Sequence, residues 1–156
     1  MTFQMCIYTR PTTMNLTSVE NCTCFNLRRV TRVITQSFDA ELRKYGIRIT
    51  QTPILSALNA RGGWSMAELS DWLGMERTTL VRNLRPLQRK GLIELSGGGR
   101  GGHVELAITD EGRAALRSML PGWRSAQEKV VATLGKKRWS AILGDLEQVA
   151  TKLKTR

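Results

Sequence analysis

Acidic residues are scarce in this chain. Thirteen Asp and Glu stand against 24 Lys and Arg in 156 residues, for a net charge of +11 and a pI near 10.4. Long apolar runs are missing too: no segment approaches the ~18 apolar residues that a membrane span needs. The opening stretch, Met1 to Pro11, lacks the charged n-region and long apolar h-region of a secretion signal, so a cytoplasmic protein is expected. Cysteine is limited to Cys6, Cys22 and Cys24, too few for the disulfide framework of a secreted domain. The single histidine, His103, sits among glycines; paired acids at catalytic spacing and glycine-rich phosphate loops are absent. These absences argue against an enzyme. Cys-x-Cys without a second ligand pair also lacks structural-zinc spacing, so neither a metal nor a cofactor is expected.

What is present is basic charge and helical periodicity. The length suits one domain with a core of its own, and the charge points to a polyanionic partner. The excess is spread along the chain: residues 1–60 hold seven Lys/Arg against three acids, and residues 121–156 eight against three.

The most informative stretch is Ser65 to Thr109. Ser65-Met66-Ala67-Glu68 reads as a capping box that starts a short helix. Leu69, Trp72 and Leu73 follow at core spacing, and Gly74 supplies a turn. In the next helix Leu80, Leu84 and Leu87 fall on one face, with Thr78, Arg82, Arg85 and Arg89 opposite. From Arg77 to Arg100 there are six Lys/Arg and one acid, Glu94. The pattern is a helix-turn-helix whose second helix has the width to enter a DNA major groove. Leu92 to Leu95 and Val104 to Ile108 then alternate as strands around Ser96-Gly97-Gly98-Gly99-Arg100-Gly101-Gly102-His103, a hairpin that reads as a wing. Arg100 at its tip is placed for a phosphate or the minor groove, or else is simply solvated.

The segments Leu73-Gly74-Met75-Glu76-Arg77-Thr78-Thr79-Leu80-Val81-Arg82-Asn83-Leu84, Leu87-Gln88-Arg89-Lys90-Gly91-Leu92-Ile93 and Val104 to Gly112 together resemble the winged helix of MarR-family transcription regulators. The resemblance covers about residues 19 to 154. In the wing, glycines replace the Asp that in the family usually braces the recognition-helix arginines, leaving Arg100 alone.

The fold expected is mainly α with a small β wing, a winged helix-turn-helix flanked by N- and C-terminal dimerisation helices in the order α-α-α-α-β-β-α-α. Residues 1–18 read as a tail, within which Met14 is an alternative start. Residues 19–46 and 110–154 form the helical dimerisation region around the winged helix at 47–109, as one structural unit. Gly46 ends the first long helix; Thr50 is the expected cap of the next, with Pro53 in its first turn. Thr109 caps the helix after the wing, which Pro121-Gly122 should kink. Trp139, Ile142, Leu143, Leu146, Val149, Ala150 and Leu153 form a heptad-like stripe on the last helix. Outer helices this apolar need a cover, either within the chain or in a second copy, and the family resemblance implies a homodimer.

The function expected is a dimeric regulator that binds a pseudo-palindromic site in double-stranded DNA, a repressor released by a small-molecule effector. Thr78, Thr79 and Arg82 would face base edges, and Arg77, Arg85, Arg89 and Arg100 mostly phosphates. The resemblance places the effector pocket at Cys24, Phe25, Arg28, Leu55, Leu58 and Trp123, where Arg28 would pair an aromatic or aliphatic carboxylate or serve as an ordinary surface arginine. Cys22 and Cys24, at a helix start beside Arg28 and Arg29, are candidate redox thiols. At about 200° apart on a helix they do not bridge each other within it. A thiol-sensing regulator of the same fold, and a winged helix that docks protein or RNA, are the alternative readings.

Overall fold

A computed structural model describes residues 19–96 and 105–154. The chain divides into two units, Met1–Val33 and Ile34–Arg156. In the first, a 3-10 turn at Val19–Asn21 leads into the opening of helix α1 (Thr23–Leu42). The Asn26 amide donates to the Glu20 and Cys22 carbonyls at 2.6 and 3.0 Å, tying that turn to the helix.

In the second unit α1 ends at a 3-10 turn, Arg43–Tyr45, closed by Gly46 in the left-handed region at φ 67°. Gly46 therefore terminates the helix as its sequence position suggests. The start of the next element differs from expectation. Thr50 caps nothing; it lies inside a 3-10 turn, Ile49–Gln51, and α2 (Thr52–Ala60) begins after it with Pro53 in its first turn. The Gln51 side chain accepts from the Arg48 amide at 3.1 Å, and a second cap comes from a distance, where Asp39 Oδ1 on α1 accepts from the Ile49 amide at 2.7 Å. That reach across ten residues satisfies an orphan helix-start donor, and local pattern does not disclose it.

A two-residue strand, β1 (Trp64–Ser65), precedes α3 (Met66–Leu73), α4 (Arg77–Arg89), β2 (Ile93–Ser96) and β3 (Glu105–Ile108). The sheet thus has three antiparallel strands in the order β1-β3-β2, one more than expected. Its register pairs Trp64 with Leu106, and Leu95 with Leu106 on the other side. So short a strand carries no alternation to read; it exists because β3 offers it an edge.

Ser65 and Glu68 form the predicted capping box, with the Ser65 hydroxyl accepting from the Glu68 amide and the carboxylate accepting from the Ser65 amide. The Ser65 amide and the Arg61 guanidinium hold the Glu68 carboxyl down at about 2. Trp72 departs from its predicted place in the core. Leu69 and Ser70 take the inward positions of α3, the Ser70 hydroxyl donating to the Met75 carbonyl, and this leaves Trp72 mostly exposed with its ring tilted against Trp64 at 5.9 Å.

After the wing, α5 (Asp110–Leu134) starts on the predicted cap, the Thr109 hydroxyl accepting from the Gly112 amide at 3.0 Å. The helix continues through Pro121. Gly122 has a packing role: a Cβ there would lie 2.7 Å from Tyr45 Cε2 and 3.1 Å from the Glu41 carbonyl. The absent side chain lets the end of α1 close on α5, where Phe38 meets Trp123 at 6.4 Å and Lys129 pairs with Glu41. That pairing lowers the Glu41 carboxyl below its ordinary value. The last helix, α6 (Lys136–Lys154), follows Gly135. One core gathers Leu42, Ile54, Leu55, Leu58, Leu69, Leu80, Leu84, Leu87, Leu106 and Met119. Among the described residues no helix is long and apolar enough to cross a membrane.

Candidate nucleic-acid interface

Helix α4 is built as its spacing predicts. Leu80, Leu84 and Leu87 are buried in the core, and this fixes which side of the helix faces outward. Arg77, Thr78, Arg82, Arg85 and Arg89 are exposed on that outer side, while Thr79 is half-buried, its carbonyl accepting from the Asn83 amide group at 2.9 Å. The tight turn before the helix is set by Gly74 at φ 63° and by the Met75 amide donating to the Ser70 carbonyl at 2.9 Å.

The far end of α4 is held firmly. The Lys90 ammonium donates to the Gly46 carbonyl, and the Thr109 hydroxyl donates to the Gly91 carbonyl at 2.6 Å. The Thr109 amide donates to the Leu92 carbonyl at 3.2 Å. A Cβ on Gly112 would stand 2.1 Å from that same carbonyl oxygen, so the start of α5 seats on the turn after α4 only because residue 112 is glycine. The helix is therefore a positioned rod rather than a free one.

Electrostatics separate this face from an ordinary solvated one. Among the described residues the ion pairs are Arg61–Glu68, Arg113–Asp110 and Lys129–Glu41, none of them on α4. Four guanidinium groups stand there without an acidic partner, a cost in self-repulsion that a polyanion would relieve. Two shallow depressions run along the row, one lined by Arg77, Thr78, Val81, Arg82 and Arg85, the other by Arg82, Arg85, Pro86, Gln88 and Arg89. Val81, Pro86 and Gln88 are members of this surface that charge counting misses; the signal was there for Val81 and Gln88, each three residues after a residue of the outward row.

The remaining sequence candidates fall in both units and in the wing. Arg100 and His103 lie outside the described residues. Leu55 and Leu58 are core, and Trp123 packs partly buried against it. Cys24, Phe25 and Arg28 are exposed in the first unit, as is Cys22, and both thiols are free.

A MarR-family model matches residues 45–101, a range that takes in α2, the helix-turn-helix and β2. The crystal structure of the M. tuberculosis transcriptional regulator MosR superposes with a TM-score of 0.77 at 31% identity, over 88% of this chain and 99% of that one. The chain belongs to the MarR family of transcription regulators. A second MosR structure, in complex with DNA, gives a TM-score of 0.76 at 33% identity over 86% of this chain and 97% of that one. The repressor CouR bound to a 23-mer DNA duplex shares the fold, with a TM-score of 0.75 at 23% identity over 88% and 99% of the two chains. No curated protein matches the chain. In MarR-family terms α3 and α4 are the helix-turn-helix, and β2 and β3 are the strands that carry the wing.

Proposed function

We propose that this MarR-family protein is a homodimer that reads a pseudo-palindromic site in double-stranded DNA and represses transcription until a small-molecule effector releases it. The observation that carries the reading is the unpaired guanidinium row on the outer face of α4, above a buried leucine face that fixes its direction. Thr78, Thr79 and Arg82 lie toward the start of the helix, the part that meets base edges when such a helix enters the major groove. Arg82 takes guanine O6 and N7, and Arg77, Arg85, Arg89 and Arg100 mostly hold phosphates. MosR, a third identical in sequence, has been seen on DNA, which supports the same partner here.

Dimerisation is supported by α6, where Ile142, Leu143, Leu146, Val149 and Leu153 stay exposed within the single chain. A second copy would cover them and set two α4 helices about one DNA turn apart. In this assignment residues 19–46 and 110–154 dimerise and residues 47–109 read DNA. The protein acts in the cytoplasm and catalyses nothing. Release by an effector draws support from CouR, solved with p-coumaroyl-CoA on the same fold. An effector of this kind works only by binding the DNA-incompetent spacing of the heads more tightly.

The test is a mobility-shift panel of selected duplex DNA, scrambled duplex, single strands and RNA, run with a sizing column. Preference for the selected duplex by a dimer is the expected result. Equal binding of all four nucleic acids, or preference for RNA, overturns it.

A further inference from the structure

Besides Pro86, the outer surface of α4 carries a β-branched aliphatic side chain beside its arginines. Val81 is half-buried and does not belong to the core, whose members on this helix are Leu80, Leu84 and Leu87. It lines a shallow depression together with Arg77, Thr78, Arg82 and Arg85. Thr78, Val81, Arg82 and Arg85 stand at i, i+3, i+4 and i+7, so the valine flanks the outward row along one side. A phosphate gains nothing from an isopropyl group, and the cations around it already serve that purpose. Only one group on the base edges of the major groove is apolar, the 5-methyl of thymine. A β-branched side chain on a helix is held largely in one rotamer, so its methyls are presented at a fixed place.

We infer that Val81 is a specificity-determining residue that packs on the 5-methyl group of a thymine, in a base pair neighbouring the guanine taken by Arg82. The inference rests on the proposed reading of α4 as the base-contacting helix and adds what that helix selects. Each half-site then holds a thymine beside a guanine. Thr78 lines the same depression, and its methyl group would extend the apolar patch.

The experiment uses the full-length protein and a duplex selected from random DNA, with each thymine replaced singly by deoxyuridine. That exchange keeps base pairing and removes the methyl alone. One position per half-site should lose about fourfold in affinity, the worth of one buried methyl, and about fifteenfold when both half-sites are changed. Val81→Ala should bind the thymine duplex more weakly and no longer distinguish the two duplexes, with its helix content by circular dichroism unchanged. Selected sites without a thymine beside the guanine, or uracil exchange without effect on wild-type binding, or a uracil penalty that persists in Val81→Ala, each overturns the thymine contact while leaving the DNA-reading helix standing. Absence of any sequence-preferred duplex overturns both.

Discussion

Helices α4 and α6 carry the same kind of pattern, apolar residues at three- and four-residue steps with cations elsewhere, and the fold treats them in opposite ways. On α4 the apolar face is spent inside the chain: Leu80, Leu84 and Leu87 keep at most 2% exposure. On α6 it stays open, with Ile142, Leu143, Leu146 and Val149 at 40–48% exposure and Leu153 at 73%. One helix has its partner within the chain and turns its charge outward; the other still lacks a cover. Periodicity thus tells which side of a helix is apolar, and only the surrounding fold tells whether that side is already satisfied.

The contrast is broken most severely in the core. Leu84→Ala should destabilise the protein by about 2–5 kcal/mol in urea unfolding, because its site in the close-packed cluster collapses only partly. A loss near zero would mean that the underside of α4 is not core. The matching change on the open face, Leu146→Asp, should act on assembly: by sedimentation the protein moves from dimer to monomer and loses operator affinity. A dimer that survives the charge would show that α6 is not its interface.

On the outward face of α4 the effects are smaller and more selective. Arg82→Ala should weaken the selected duplex by about 1–3 kcal/mol and leave scrambled duplex nearly untouched. Equal losses on both would remove Arg82 from the bases. Arg89→Ala should lower affinity on every duplex and reduce the slope of log affinity against log salt by about one. Lys90→Met, next along the chain, should leave that slope unchanged, because the Lys90 ammonium is committed to the Gly46 carbonyl. A slope that falls with Lys90→Met would place the lysine on a phosphate instead.

The smallest effect is a pH dependence at the entry to the helix-turn-helix. Glu68 is held at about 2 in the folded protein, against 4.5 for the ordinary carboxyl. A lowered folded value means that this group stabilises the fold fully above about pH 4.5 and loses the contribution as pH falls toward 2. Glu68→Gln should flatten that part of the acid-unfolding profile, and a profile unchanged by the substitution would contradict it.

The features legible in the sequence are those decided within one turn of chain. Ser65 with Glu68, Gly74 in its left-handed turn, and Thr109 with the Gly112 amide are all local hydrogen-bonding or dihedral requirements, and all stand where the residues put them. The leucine face of α4 is of the same kind. What escaped depends on contacts far apart in sequence: β1 needs the edge of β3, the Ile49 amide finds Asp39 rather than a neighbouring threonine, and Gly122 answers to Tyr45 and Glu41 on another element. Trp72 misled for a related reason. Its spacing fits a core face, but a helix of eight residues buries only a narrow strip, and Leu69 and Ser70 fill it. On the candidate interface, charge made the arginines visible and left Val81 unnoticed.

The central claim is that two outward α4 faces, held by a dimer, read one duplex. Hydroxyl-radical footprinting of the wild-type protein on a selected duplex tests it most directly. Two symmetry-related protected patches should appear, their centres separated by about 10–10.5 base pairs or a small multiple. A single protected patch on a tightly bound duplex would contradict the account.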